Sequence, residues 1–419
     1  MSDTRLNIVW ATPVVPYPPR DGGVIRIYQL LKGLAERHRV HLLAMTYGEA
    51  VADTAKLKDF CQSIELFTMP DPSPRWSPAW CHEKWKMVRG PHHSYYVPEL
   101  QRRLDRLCET QNADVVMLET LKMAEYRPLG NCARRKDNVI LSRQNYEPDL
   151  LRRMADEASA VTDRVVWRAS AELLDRAERQ VARKFKFITA VSEKDAERFR
   201  SLAPETEVAV VPNAADPDLF RPVAADDARG TPIVAIVGTM EYPPNRDAAR
   251  FFCQAMWPEI RQRCPDAKLR IIGNAAAKYV PDLAQDPGVE TREPAGDIAA
   301  ELEAATVIAV PLRIGSGTRI KILEALAAGK AVVSTSIGCE GLDLVSGEHL
   351  LVADDPSDFA TKVVALLTDP SLRRRLAAQG RKIVEERYTW PLSVKRLEAF
   401  CRHVAEVSHT SAPAQLQEC

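Results

Sequence analysis

Residues 311–342, PLRIGSGTRIKILEALAAGKAVVSTSIGCEGL, decide the fold. The apolar run Thr306–Val310 before them has β character and breaks at Pro311 into a turn carrying Gly315 and Gly317. Apolar residues then recur at helical spacing from Thr318 until Gly329, and Ala331–Thr335 reads as a second strand. Strand, glycine turn, helix and strand within about thirty residues make one βαβ unit. Such a turn aims backbone N–H groups and a helix N-terminus at one spot, which is how a fold holds phosphate. Arg319, Lys321 and Glu324 are polar in this otherwise apolar segment. The combination reads as a pocket for a diphosphate plus a sugar.

The same alternation runs outward in both directions. Before the motif come strand patterns at Leu6–Ala11, Val40–Met45, Ser63–Met69, Ala113–Glu119, Asn138–Asn145, Phe185–Ser192 and Glu207–Val211. Residues 24–37 have helical spacing, and the charged, proline-free stretch 149–183 reads as one or two helices. The second half repeats the scheme, with strands at Pro232–Gly238, Lys268–Ile272 and Val289–Thr291 and helices at about 247–257, 356–368 and 371–386. Strands alternating with helices imply an α/β protein of mostly parallel, doubly wound sheets. At 419 residues the chain exceeds what one core usually serves. The Ala-, Asp- and Pro-rich stretch 213–231 lacks a core pattern and is the best linker. Two Rossmann-like domains in series put the carboxyl ends of both sheets around one cleft, where such folds bind ligands.

Composition removes several function classes. The chain is 46% hydrophobic and 27% charged with a formal net charge of zero. Residues 1–212 carry a small basic excess and the remainder a matching acidic one, which gives no case for nucleic acid. No apolar run approaches the roughly 18 residues that span a bilayer, and the N-terminus has the wrong flanks for a signal peptide. Nine cysteines without CxxC or Cys/His spacing read as reduced thiols in the cytoplasm, not as a disulfide framework or a zinc site. GSGTRIK lacks the Lys-Ser/Thr pair of a Walker loop, and neither GxGxxG nor GxSxG occurs.

Further motifs complete the pattern: Pro16-Tyr-Pro-Pro-Arg-Asp-Gly-Gly23, Ser142-Arg-Gln-Asn-Tyr-Glu147, Ala190-Val-Ser-Glu-Lys-Asp195, Val211-Pro-Asn-Ala-Ala-Asp216, Gly238-Thr-Met-Glu-Tyr-Pro-Pro-Asn245 and Tyr388-Thr-Trp390. In this order, with the 311–342 motif, they resemble the GT-B glycosyltransferases of family 4, in the exopolysaccharide-associated group 1 subgroup. The resemblance runs from Asn7 to about Trp390. It implies an acceptor-binding domain at 1–212, joined by a crossover helix near 388–406, and a nucleotide-sugar-binding domain at 213–387, with 407–419 a tail.

The implied reaction moves a sugar from a nucleotide diphosphate-sugar to an acceptor hydroxyl on a glycan, a lipid-linked molecule or a small molecule. By analogy it is retaining, needs no metal and uses no cofactor. Glu324 matches the family's second acidic residue, which accepts from the nucleotide ribose hydroxyls; a helix-surface Glu is the alternative. The family's earlier Glu, eight residues before, is Ser316 here, which loosens the inference about the donor sugar. The loop after Gly238 also lacks the usual Lys, so Arg319 and Lys321 are expected to stabilise the leaving diphosphate. Gly22, Gly23, Gly238, Thr239, Asn245, Gly273, Gly315, Gly317, Thr318 and Leu323 are the donor-side candidates, with base selectivity near Gly273 and Glu293. Arg26, Asn145 and Glu147 are the acceptor-side candidates, Gln144 standing where many relatives have His.

Segment 70–98 interleaves Trp76, Trp80 and Trp85 with Lys84, Lys86 and Arg89. Aromatic plus basic residues suit peripheral contact at the inner face of a membrane, or else a loop anchored by its tryptophans. Two other readings share the fold: a non-hydrolysing nucleotide-sugar epimerase, which wants paired carboxylates in the cleft, and a non-catalytic nucleotide-sugar-binding protein.

Overall fold

The computed structural model describes residues 4–47, 53–69, 95–128, 138–222, 230–293 and 298–410. The chain divides into two compact units. One comprises Met1–Leu151, Val165–Pro212 and Ser393–Cys419, the other Arg152–Arg164 and Asn213–Leu392.

The first unit is built on seven parallel strands: β1 (Asn7–Thr12), β2 (Arg39–Tyr47), β3 (Ser63–Met69), β4 (Val115–Glu119), β5 (Val139–Ser142), β6 (Phe187–Ala190) and β7 (Glu207–Val210). Their order is β3-β2-β1-β4-β5-β6-β7, so the winding reverses between β1 and β4. Strands β1, β4, β5 and β6 are buried almost throughout, because helices cover both faces and leave no position for a polar alternation. Asp21 caps the helix Gly22–Ala35 by accepting from the Val24 amide at 3.1 Å. Gly33 in that helix lets Val394 sit so close that a Cβ would lie 2.4 Å from its Cγ2. The helix Trp390–Thr410 is further held by Ser393 Oγ donating to the Pro212 carbonyl at 2.9 Å and by Arg37 donating to Glu398 at 3.1 Å.

The second unit holds six parallel strands: β8 (Ile233–Val237), β9 (Lys268–Ile272), β10 (Val289–Arg292), β11 (Val307–Val310), β12 (Ala331–Ser334) and β13 (Leu351–Val352). The order β10-β9-β8-β11-β12-β13 repeats the first sheet's logic, with its reversal between β8 and β11. The expected class, two parallel α/β sheets of Rossmann type, is therefore what the chain forms. The carboxyl ends of β8 and β11 part at the reversal, and this crevice is where open sheets of this kind take ligands.

Several boundaries differ from expectation for local reasons. The helix after the glycine turn starts at Ile320 rather than Thr318, since Gly317 is left-handed at φ +71° and Arg319 is extended. Arg319 is accordingly the residue that leads into the helix, not one inside it. The helix expected at 247–257 starts at Pro243, because proline is well accommodated in a first turn, and it stops at Ala255 before a second helix, Trp257–Arg263. The stretch 149–183 is two helices, Glu147–Asp156 and Val161–Ala182. The helices Pro98–Thr110, Glu193–Leu202 and Ile298–Ala304 and the two-residue β13 are elements beyond those expected. Among the described residues no helix is long and apolar enough to cross a membrane. Trp76, Trp80, Trp85, Lys84, Lys86 and Arg89 lie outside the described residues.

Candidate functional site

At the reversal of the second sheet, β8 delivers Gly238 and β9 delivers Gly273 to the same point. The Gly238 amide bonds the Ile272 carbonyl at 2.9 Å and the Met240 amide the Asn274 carbonyl at 2.9 Å. A Cβ on Gly273 would lie 1.9 Å from the Gly238 oxygen, so the two strand ends meet only because that side chain is missing. Gly238 itself has φ +154°, and a Cβ there would lie 2.6 Å from Lys321 Nζ and 2.7 Å from Asn245 Nδ2.

Those neighbours form the polar heart of the site. Lys321 Nζ donates to Asn245 Oδ1 at 2.8 Å, while Asn245 Nδ2 donates to the Thr239 carbonyl at 2.9 Å. Both bonds fix which way the amide faces. Lys321 lies in the first turn of the helix Ile320–Ala327, and Glu324 follows three residues later on a neighbouring position. Burial pulls the Lys321 ammonium down to about 8, helped by Arg319 and opposed by Glu324. Burial pushes the Glu324 carboxyl up to about 7, opposed by Lys321. A cation and an acid that burial shifts toward each other, at the mouth of a sheet, make this the candidate site. Ile236, Val237, Ala248, Ala309, Val310, Pro311 and Leu312 line a small cavity with Asn245 and Lys321. The Thr239 hydroxyl is buried and without a hydrogen-bond partner among the described residues.

The turn itself places its candidates differently. Gly315, Ser316 and Gly317 lie together, but Arg319 folds back on them: its guanidinium donates to the Ser316 carbonyl at 2.8 Å, to the Gly317 carbonyl and to the Ile337 carbonyl at 3.3 Å. Thr318 is 9% exposed and accepts from Asn213 Nδ2 at 2.8 Å through its hydroxyl, so its side chain faces the unit's interior. Leu323, expected on the donor side, is 0% exposed and belongs to the apolar core with Ile322, Ala325 and Leu326. Its side chain is packing, because the helix's apolar face is the one turned inward.

In the first unit the glycine turn packs against Gln144, since a Cβ on Gly23 would lie 2.8 Å from Gln144 Oε1. Gln144 Nε2 and Ser142 Oγ each donate to Glu119 Oε1 at 3.0 Å, and Trp10 Nε1 reaches Glu119 Oε2 at 3.3 Å. Glu119 is 1% exposed, and burial raises its pKa against the opposing pull of Arg26, Gln144, Ser142 and Trp10. Arg26, expected toward an acceptor, is also 1% exposed and donates to the Pro212 carbonyl at 3.1 Å. Burial brings its pKa down to about 10, opposed by Glu119. It is an interior cation within electrostatic reach of the buried Glu119 carboxyl. Sequence reasoning missed Glu119; the signal was an acidic residue ending the apolar strand β4. Asn145 and Glu147 stand between β5 and the following helix, Glu147 in its first turn. Among the described residues no group of three or more His, Cys, Asp or Glu is placed to hold a metal ion.

Two parallel Rossmann-like sheets, each with a glycine turn at its reversal, are the architecture of the GT-B class. Residues 20–219 match the family model described as Glycosyltransferase Family 4, and residues 231–369 match that of Glycosyl transferases group 1. The chain belongs to glycosyltransferase family 4. The phosphatidyl-myo-inositol mannosyltransferase of Mycobacterium tuberculosis is 29% identical over 223 residues, which are 50% of this chain and 58% of that protein. The match thus spans little more than half the length of that relative. Among solved structures, sucrose-phosphate synthase from Thermosynechococcus elongatus superposes with a TM-score of 0.73 at 16% identity, over 96% of this chain and 100% of the other. Anabaena Alr3699/HepE in complex with UDP and glucose gives 0.61 at 15% identity, over 95% and 100%. At those identities the likeness is one of fold.

Proposed function

We propose that this protein transfers a sugar from a nucleotide diphosphate-sugar to an acceptor hydroxyl. The observation that carries the reading is the Lys321–Asn245 pair behind Gly238, with Glu324 one helical turn away. In this reading Glu324 accepts from the ribose hydroxyls, and the Thr239 hydroxyl is a further contact for the donor. Lys321 and the helix N-terminus neutralise charge that grows on the leaving diphosphate, the part a metal ion plays in other transferases. The bond from the anomeric carbon to the diphosphate oxygen breaks, the acceptor oxygen bonds that carbon, and the acceptor proton passes to the departing diphosphate on the same face. Configuration is retained. With Ser316 where an acid is usual, the donor sugar is held by the turn's backbone more than by a carboxylate.

Relatives named for phosphatidyl-myo-inositol and a neighbour crystallised with UDP and glucose support a sugar nucleotide as donor and leave a lipid-linked acceptor in view. A protein working at the inner face of the membrane fits that acceptor. The test is incubation with UDP-, GDP- and dTDP-sugars, with and without a panel of glycan, lipid-linked and small acceptors, in the presence of EDTA. Nucleotide release that requires acceptor is the expected result. Interconversion of the donor without acceptor identifies an epimerase, and binding without turnover a carrier; either overturns the proposal.

A further inference from the structure

We propose that Arg153 is a positioning residue of the donor site, setting the peptide planes of the Gly315–Gly317 turn from the carbonyl side. The inference rests on the reading of that turn as part of a nucleotide-sugar site. Segment Arg152–Arg164 belongs to the same compact unit as Asn213–Leu392, although it is separated from them in sequence by β6 and β7. It is tied down by two reciprocal ion pairs. Arg153 grips Glu340 with both terminal nitrogens at 2.7 Å and also donates to the Gly315 carbonyl. Glu157, one helical turn on, meets Arg313 at 2.6 Å, and Arg313 also grips Asp247 at 2.6 and 3.2 Å while lying 4.1 Å over the Phe251 ring.

Arg319 holds the next two carbonyls, those of Ser316 and Gly317. Three successive carbonyls, at 315, 316 and 317, therefore accept from guanidinium groups. In a trans peptide the carbonyl and the following N–H point in opposite directions. The amides of Ser316, Gly317 and Thr318 each point away from the guanidinium that holds the carbonyl of the same peptide. With their carbonyls held in this way, these N–H groups are the ones left to meet a phosphate or sugar hydroxyl. Glycine at 315 and 317 leaves these planes free to rotate once unheld, so the orientation depends on the clamp. Arg153 is the clamp's remote half, 162 residues from the carbonyl it holds.

The full-length protein tests this through Arg153→Gln, Arg153→Lys and Glu157→Gln. Glu157→Gln cuts the segment's second tie yet leaves the Gly315 contact, so it reports what mere docking of the segment is worth. Charge-assisted hydrogen bonds and the alignment they impose suggest that Arg153→Gln raises the dissociation constant for the preferred UDP-, GDP- or dTDP-sugar by about tenfold or more. Glu157→Gln should change it by no more than about a third as much, and Arg153→Lys, which keeps charge without the fork, should recover only part. Amide hydrogen exchange supplies a reading that needs no donor: peptides covering 311–319 should exchange faster in Arg153→Gln at an unchanged melting temperature. Equal donor affinity and equal exchange in Arg153→Gln and wild type would overturn the positioning role while leaving the transferase reading intact. If wild type binds none of the three sugar nucleotides, both fall.

Discussion

Asn213 reaches Thr318 across 105 residues of sequence, its Nδ2 lying 2.8 Å from the hydroxyl and 3.3 Å from the carbonyl. The pair joins the Val211–Asp216 motif to the glycine turn and fixes the residue that follows Gly317. Asn213 and Thr318 are 6% and 9% exposed, so water cannot readily replace the bonds. Asn213→Ala should cost about 1–3 kcal/mol of stability by leaving a buried oxygen unserved. Chemical denaturation measures this, and an unchanged midpoint would show the pair to be incidental.

Gly273 should tolerate no side chain. Its Cβ would stand 1.9 Å from the Gly238 oxygen, a backbone atom that cannot swing aside. Gly273→Ala must part β8 from β9, at a cost of about 1–3 kcal/mol as for other overpacked sites. Donor affinity should fall with it, because Gly238 carries the loop that meets Asn245 and Lys321. Calorimetric melting and donor titration on the same variant check both halves.

Donor binding should depend on pH in a particular way. Glu324, at about 7, gains its charge as pH rises, and Lys321, at about 8, loses its charge above that. Affinity for a sugar nucleotide should therefore peak between these values. Glu324→Gln should flatten the acid limb and Lys321→Met the alkaline one, and Glu324→Ala should raise the donor KM or abolish turnover with the fold intact. Stability moves oppositely on each side. Glu324 is raised from 4.5, so its contribution is full below 4.5 and is lost as pH rises through about 7. Lys321 is lowered from 10.5, so its contribution is full above 10.5 and is lost as pH falls through about 8. Urea titrations between pH 5 and 9 on wild type and Glu324→Gln resolve the first of these terms.

The first unit has its own buried charge. Arg143 donates to Glu178, both about 1% exposed, and burial pushes the Glu178 carboxyl up to about 7 despite that partner. Arg143→Met should cost about 3–5 kcal/mol by stranding the carboxylate, and adding Glu178→Leu should restore most of it. Denaturation of the single and double variants measures the difference.

Much of this was legible from local pattern. Runs such as Ile233–Val237 and Val307–Val310 are apolar on both faces because both faces are covered, and that alone announces a parallel sheet. Lys321 and Glu324 stood out because each is polar where its helix is otherwise apolar, whereas Gly238 and Asn245 came from the order of motifs shared with the family. Glu193–Leu202 carries a helical pattern as well, with Ala196, Phe199 and Leu202 at helical spacing opposite a charged face, though only three apolar residues make up its stripe.

The sequence by itself determined the two sheets, the glycine turn and the family, since strand burial, turn chemistry and motif order are properties of neighbouring residues. Only the tertiary structure decided which polar groups face outward. Arg26 went inside to within electrostatic reach of Glu119, Thr318 turned toward Asn213, and Arg153 came to hold Gly315. A charged side chain's role depends on the partner that packing brings to it, and these partners are 93, 105 and 162 residues away.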